Sequence, residues 1–395
     1  MRVLNVSPSY YPAIKYGGPI QSIHLLNKYL VKKGITVDVL TTTAGLSTEQ
    51  KSVLKRKWND VDGVKVKYVS YLGYEHYNFS FPFVYEFNKI IKNYDLVHIS
   101  AVWNFPVLAA SVVAKSKNKP YIISPKGVFH QQALHFSSYG FKKVYYQLFA
   151  NRYLRGASAI NYTSAIEKTE SEQLISNSHS YIIPNGIDLG IIDRDFPKQS
   201  LKKFGLDESS KYILILGRIN AIKGFDILLS AFSIIAEKQQ ELLLVISGNN
   251  YNPYAKELMK LIDEKGITHK VIFTGEVAGD IKWALYKNAF MFILPSYSEN
   301  FGMSVVEAMA SGCPVVISDK VGIYKDLVEY QAGIIVTTNV QSIITGIIKI
   351  YENEKLRKQI SINALNMVKN KYDINKVSEQ VIQMYERVVK EYERS

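Results

Sequence analysis

The chain is 395 residues long, 47% hydrophobic and 21% charged, with a formal net charge of +13. That length suffices for two ordinary domains, and the composition is that of a globular protein, which excludes a disordered or fibrous chain. The single cysteine, Cys313, excludes an internal disulfide, and no apolar run reaches the roughly eighteen residues of a membrane-spanning helix.

Cys313 stands in Ser-Gly-Cys-Pro ahead of an apolar strand and reads as a small buried hydrophobe. A lone thiol suits a reducing cytoplasm, and Met1-Arg2 runs straight into strand-like Val3–Val6 with no core of signal-peptide type. The expected location is therefore cytoplasmic. The charge is uneven: residues 1–190 hold 22 Lys/Arg against 11 Asp/Glu, the remainder 26 against 24. Leu96–Ile166 has no acidic residue at all. Such a surface attracts polyanions, and peripheral attachment to the inner face of the cell membrane is one outcome it allows. No nucleic-acid-binding signature accompanies the charge, so no nucleic-acid partner is expected.

In chain order, strand Val3–Val6 leads through a loop ending Gly17-Gly18-Pro19 into a helix over Ile20–Lys32 and a strand over Thr36–Leu40. Further strands are predicted at Val64–Val69, Leu96–Ile99, Tyr121–Ile123, Ala159–Tyr162 and Tyr181–Ile183. Helices are predicted at Val84–Lys92, Val107–Ala114, Gly140–Leu154 and Glu167–Leu174. This alternation argues for a parallel sheet covered by helices on both faces. Gly17-Gly18 lacks the dinucleotide spacing but places flexible backbone after the first strand. In Gly140–Leu154, helical spacing puts Phe141, Val144, Tyr145 and Leu148 on one face. Arg152 interrupts that face, and Lys142 and Lys143 lie off it. An interfacial membrane helix has this composition, and so does a core helix with a basic back, the version expected here.

Pro184-Asn185-Gly186 punctuates the chain, and Leu189–Asp207 is polar and aperiodic, marking a boundary. A second series follows, with strands at Tyr212–Leu216, Leu242–Ser247, Val271–Phe273, Phe290–Leu294, Val315–Ile317 and Ile334–Val336, and a last helix over Val377–Val389. Two motifs stand out. Gly217-Arg218, four residues, then Lys223-Gly224 joins a strand to the helix Phe225–Glu237. Arg218 and Lys223 flank a helix N-terminus, whose free N–H groups and positive dipole end suit a diphosphate. Glu299 and Glu307 bracket Asn300–Met303, the first in a loop after a strand and the second in the first turn of a helix over Val305–Ser311. At the carboxyl ends of strands both face the crevice where open α/β sheets bind ligands, and two carboxylates suit a ligand with vicinal hydroxyls.

These residues, Gly217-Arg218…Lys223-Gly224-Phe225 and Glu299-Asn300-Phe301-Gly302-Met303…Glu307-Ala308, resemble glycosyltransferase family 4, the retaining transferases of the GT-B fold. The resemblance runs through essentially the whole chain and is densest from Lys211 to Ser318. It implies an α/β protein of two facing Rossmann-like domains. These are an acceptor-binding domain at 1–185, a nucleotide-sugar donor-binding domain at 186–375, and a C-terminal helix, 376–395, crossing back to the first. It also implies a hexosyl transfer that needs neither metal nor cofactor.

Roles follow from the resemblance, residue by residue. Arg218 and Lys223 stabilise the charge on the leaving diphosphate, Glu299 contacts hydroxyls of the transferred sugar, and Glu307 holds the ribose. Asn300, Phe301, Gly302 and Met303 lie against sugar and phosphate through their backbone. Gly248 borders the donor from another loop, Val277 borders the base, and Gly17 and Gly18 border donor phosphate and acceptor. His98 matches a histidine common in the family, although Ser100 replaces a second. Where many members have Pro-His-Gly, this chain has Pro125-Lys126-Gly127, so Lys126 is a candidate for acceptor binding or catalysis, with His130 beside it. A lysine accepts a proton at neutral pH only if its pKa is lowered.

The implied partners are a UDP- or GDP-sugar and a glycan or polyprenyl-diphosphate-linked acceptor, in bacterial surface-polysaccharide synthesis. Asp193-Arg194-Asp195 and Asp60-x-Asp62 spell a metal-binding pattern of other glycosyltransferases, but their placement marks them as chance matches. Two alternatives remain at this stage: a nucleotide-sugar epimerase of the same fold, and a non-catalytic sugar-nucleotide-binding scaffold.

Overall fold

The computed structural model describes residues 1–394 except residues 14, 16, 130–138, 176, 178 and 208. The chain divides into two compact units, Met1–Ile187 with Ile374–Ser395, and Asp188–Asp373.

The first unit is built on β1 (Arg2–Ser7), β2 (Thr36–Thr42), β3 (Trp58–Val61), β4 (Val64–Val69), β5 (Leu96–Ser100), β6 (Tyr121–Ser124), β7 (Ala159–Tyr162) and β8 (Ser180–Ile182). Among the described residues they form one sheet in the order β3-β4-β2-β1-β5-β6-β7-β8. All its pairings are parallel except β3 with β4. Neighbouring side chains along a strand point to opposite faces, and the packing follows that period. Leu4, Val97 and Ile123 pack with Phe83, Phe87 and Val107. Val3, Leu96 and Ile122 pack instead with Val377, Val381, Met384 and Tyr385. These last four belong to the helix Ile374–Glu393, so the end of the chain covers one face of the first sheet. Where the chain enters and leaves the second unit the two passes touch, Ile374 N–H donating to the Ile187 carbonyl at 3.0 Å.

The second unit is built on β9 (Lys211–Leu216), β10 (Leu242–Ser247), β11 (Val271–Gly275), β12 (Met291–Leu294), β13 (Val315–Ser318) and β14 (Ile334–Val336). These form an all-parallel sheet in the order β11-β10-β9-β12-β13-β14. Its strands are continuous apolar runs because both faces are covered. Phe225, Leu228, Leu229 and Phe232 of the helix Phe225–Lys238 pack on Ile213, Ile215, Leu244 and Ile246. Strand order reverses between β9 and β12, and the loops leaving that point are where such sheets bind ligands.

Three readings need correction. The segment read as one helix over Gly140–Leu154 is a helix Tyr139–Tyr145, a wide turn Tyr146–Ala150 and a second helix Asn151–Arg155. Its buried side is Tyr145, Ala150, Tyr153 and Leu154, while Val144 and Leu148 are exposed, because the wide turn shifts the helical phase. The edge strand β3 and the helix Thr48–Leu54 were not foreseen. The aperiodic stretch after the boundary contains two 3-10 turns, Leu189–Ile191 and Lys198–Phe204. Among the described residues no helix is long and apolar enough to cross a membrane.

Candidate functional site

The loop leaving β9 turns at Gly217 (φ 149°), passes through a 3-10 turn Ala221–Lys223, and enters its helix through Gly224 (φ 71°). Both conformations favour glycine. A Cβ on Gly224 would lie 2.3 Å from the Pro295 carbonyl oxygen, and one on Gly248 2.1 Å from that of Gly217. The loops after β9, β10 and β12 are therefore packed backbone to backbone. Tyr297 N–H donates to the Ile222 carbonyl at 2.8 Å, closing the β9 and β12 loops on each other.

Inside this junction the Lys223 ammonium donates to Glu299 Oε2 at 2.8 Å, with the two side chains 14% and 24% exposed. A cation and an acid drawn from motifs 76 positions apart thus meet directly. The space a Cβ on Gly217 would fill lies 3.3–3.4 Å from Lys223 Cε and Nζ. Arg218, next to Gly217, is exposed and forms no ion pair among the described residues. Glu299 is fixed by its backbone, its N–H donating to the Lys320 carbonyl and its carbonyl accepting from Gly322 N–H. Gly302 (φ 91°) then starts the helix Met303–Ala310, with Val321 Cγ1 only 2.9 Å from where a Cβ would stand. Phe301 is buried against Tyr372, ring centroids 5.5 Å apart, so its side chain belongs to the core. Asn300 and Met303 are partly buried on either side.

Glu307 falls in the second turn of that helix rather than the first, because the helix begins two residues earlier than its apolar pattern. Its Oε1 pairs with Lys282 at 2.7 Å and its Oε2 accepts from the Tyr286 hydroxyl at 3.0 Å. Burial first, and the Glu307 carboxylate second, hold the Tyr286 phenol well above its ordinary pKa, so it stays a donor. The Lys282 ammonium also lies 4.5 Å from the Trp283 ring centroid. Sequence reasoning missed Lys282 and Tyr286. Their i, i+4 spacing on the helix Gly279–Asn288 is a weak signal, and only the fold brings that helix beside Glu307. Val277, partly buried, lies between β11 and this helix.

The remaining candidates lie in the first unit. Gly17 (φ 78°) caps the helix Gly18–Lys32, and Gly18 is exposed at its first turn. Lys126 (φ 58°) follows β6 and donates to Asn185 Oδ1 at 3.1 Å. Removal from water pushes its amine pKa down, opposed by the nearby Glu167 carboxylate. Glu167 is itself buried and accepts from Gly127 N–H and from the amide and hydroxyl of Thr163. His98 is buried with both ring nitrogens engaged, Nδ1 with the Tyr385 hydroxyl at 2.6 Å and Nε2 with Ser124 Oγ at 2.8 Å. Burial pushes its pKa down to about 3, so the ring is neutral. Both ring nitrogens are thus occupied within the first unit. His130 lies outside the described residues.

The two Asp-x-Asp matches form no metal cluster among the described residues. Arg194 pairs with Asp280 at 2.7 Å, and Asp62 with His24 at 3.1 Å. Cys313 is buried, which pushes its thiol pKa up.

The doubly wound sheets and the charged junction at a switch point define an α/β enzyme of the GT-B type. Two family models match the chain, "Glycosyltransferase Family 4" over residues 16–190 and "Glycosyl transferases group 1" over residues 197–367. The chain belongs to glycosyltransferase family 4. It is 26% identical to an uncharacterized glycosyltransferase of Methanocaldococcus jannaschii, covering 98% of each chain. It is 24% identical to the GDP-mannose:cellobiosyl-diphosphopolyprenol alpha-mannosyltransferase of Xanthomonas oryzae pv. oryzae, covering 81% of this chain and 79% of the relative. The crystal structure of Anabaena HepE in complex with UDP-glucose superposes with a TM-score of 0.77 at 19% identity, over 98% of this chain and all of that one. Nothing in these likenesses supports the epimerase or the scaffold.

Proposed function

We propose that this glycosyltransferase moves a hexosyl group from a nucleoside-diphosphate donor to a hydroxyl of a glycan or polyprenyl-diphosphate-linked acceptor, with retention of configuration and without a metal. The observation that carries the donor reading is the Lys223–Glu299 pair beside Gly217 at the β9/β12 switch point. The leaving diphosphate gathers negative charge as the glycosidic bond breaks, and preorganised cations stabilise that charge without reorganising. Lys223 is held in place by Glu299, while Arg218, exposed and in no ion pair among the described residues, can swing onto a phosphate. Glu299, facing Lys223 with one oxygen, offers the other to sugar hydroxyls. Glu307, oriented by Lys282 and Tyr286, accepts from ribose hydroxyls. The acceptor is assigned to the first unit, with Lys126 contacting an anionic or hydroxyl group. The mannosyltransferase of Xanthomonas named above uses a diphosphopolyprenol-linked acceptor, which supports this choice of acceptor class.

The test is a released-nucleotide assay over UDP-, GDP- and ADP-sugars, with and without a polyprenyl-diphosphate-linked glycan. Release that needs acceptor and survives EDTA is expected. Release without acceptor, or none with any donor, removes the reading; loss of activity in EDTA removes its metal-independent part.

A further inference from the structure

Tyr297 belongs to neither charged motif, yet it reaches the turn of one from the loop of the other. It leaves β12 two residues after Pro295 and two before Glu299. Its backbone N–H donates to the Ile222 carbonyl, and its phenol donates to Asp226 Oδ2 at 2.9 Å, four positions further along the chain. Burial first, and the Asp226 carboxylate second, push the Tyr297 pKa up to about 12, so the hydroxyl keeps its proton near neutral pH. Asp226 stands in the first turn of the helix Phe225–Lys238, where the dipole favours a carboxylate. Its Oδ1 is buried without a hydrogen-bond partner among the described residues, so Tyr297 supplies the one side-chain bond this carboxylate has there.

Ile222 and Asp226 enclose Lys223, Gly224 and Phe225. One residue of the Glu299 loop therefore grips the Lys223 turn on both sides of the lysine. The Lys223–Glu299 pair does not supply that placement by itself, because two long, rotamer-rich side chains can meet at 2.8 Å over a range of backbone separations. Glu299 is fixed on its far side: its N–H and carbonyl are bonded to Lys320 and Gly322, and the Ser296 carbonyl accepts from Ser318 Oγ at 2.5 Å. Toward Lys223, the backbone bond is the one from Tyr297 to Ile222, and the phenol, with only two side-chain torsions, is a stiff second tie.

We infer that Tyr297, bonded to Asp226, is a positioning residue for glycosyl transfer, setting the Lys223 ammonium against Glu299 and the leaving diphosphate. This role rests on the donor reading above, in which Lys223 meets the diphosphate and Glu299 the transferred sugar. Its effect reaches the breaking bond and spares the ribose contacts, because Glu307 is oriented separately, by Lys282 and Tyr286.

Steady-state turnover of the full chain with whichever UDP-, GDP- or ADP-sugar the parent uses, at a temperature below every variant's melting transition, provides the measurement. Tyr297→Phe keeps the ring and the backbone bond and removes only the hydroxyl. It should lower kcat on the order of tenfold to a hundredfold, the cost of displacing a reacting group by up to about 1 Å. Donor KM should change much less. Asp226→Ala, which removes the acceptor of the same bond, should reproduce the loss, and the double variant should lose no more than either single one. In a Lys223→Gln background Tyr297→Phe should cost no more than about twofold further, since a residue acting through Lys223 then has nothing left to place. A merely structural role would multiply the two losses. Parental kcat in Tyr297→Phe, or losses that multiply, would overturn the positioning role while Lys223→Gln alone remained impaired. Parental kcat in Lys223→Gln itself, or a parent that turns over no donor, would remove the donor reading and this role with it.

Discussion

Lys223 and Glu299 come from two loops of one switch point and meet at 2.8 Å, while Arg218, from the same loop as Lys223, meets no acid among the described residues. The two cations should therefore behave differently on removal. Arg218→Ala takes away an exposed group that no acid holds, so stability should change by no more than about 0.5 kcal/mol. Lys223→Ala leaves Glu299 partly buried without its counter-charge and should lower the melting temperature as well. If both cations face the leaving diphosphate, each loss should cost about 2.7–4 kcal/mol of transition-state stabilisation, seen in kcat. Steady-state kinetics beside thermal melts separates the effects. An Arg218→Ala protein with parental kcat would remove that residue from the site.

Glu307 is held by two donors of different kinds, and this gives a second prediction. Tyr286→Phe removes a neutral donor to Oε2 and leaves the Lys282 pair intact. The carboxylate then keeps its charge but loses one fix on its orientation. Donor KM should rise several-fold with kcat little changed, because ribose contacts are made equally in ground and transition states. Lys282→Met should weaken donor binding further and leave the carboxylate half-buried and unpaired. A drop in kcat with unchanged KM in Tyr286→Phe would place Glu307 at the reacting sugar instead.

Gly224 permits a test of the loop junction itself. Its φ is 71°, and the Pro295 oxygen lies 2.3 Å from where a methyl group would stand, so no side chain fits without backbone movement. Gly224→Ala should destabilise the second unit by more than the ~1–3 kcal/mol of an unfavourable left-handed residue alone. It should also displace Lys223, its chain neighbour. Denaturant unfolding together with donor binding checks this, and a fully active, parentally stable alanine variant would show that the junction does not position the cation.

The strands of the second sheet were legible because strands buried on both faces are unbroken apolar runs, and predicted strand limits moved by only a residue or two. Several helix starts were read late, although Phe225 was placed correctly. Apolar periodicity suggested Val84 and Val107, whereas the helices begin at Phe81 and Phe105, each with proline in the first turn. Proline there lacks the N–H that a helix start does not need, and Ser80 caps the first of them through its hydroxyl. The edge strand β3, Trp-Asn-Asp-Val, escaped because one side faces water and its residues are mixed in polarity. Thr48–Leu54 buries nothing and is held by a capping box from Ser47 and Gln50. At the site, both glutamates and both cations were visible as motifs. Lys282 and Tyr286 were not, since tertiary packing alone sets them beside Glu307. The His98 contact was hidden for the same reason: its partner Tyr385 lies 287 positions away, on the helix that closes the first sheet.

That contact leads to a pH dependence. Burial lowers the His98 pKa from 6.5 to about 3 in the folded chain. Between those values the unfolded chain binds a proton at this position and the folded chain does not, so stability rises with pH across that window. Acidification from neutral pH therefore costs stability, beginning near pH 6.5 and continuing down to about pH 3. From pH 7 to pH 5 the His98 share should be on the order of 2 kcal/mol, at about 1.4 kcal/mol for each pH unit well inside the window. His98→Gln lacks the titration, so its urea midpoint should be lower than the parent's at pH 7, where Tyr385 and Ser124 lose their fitted partner. The gap should narrow at pH 5 as the parent pays to keep its imidazole neutral. Equilibrium unfolding of both proteins at the two pH values measures this difference, in which the other titrating groups largely cancel. A gap that stays constant or widens on acidification would show that His98 is protonated in the folded chain and that its two hydrogen bonds are not those of a neutral ring.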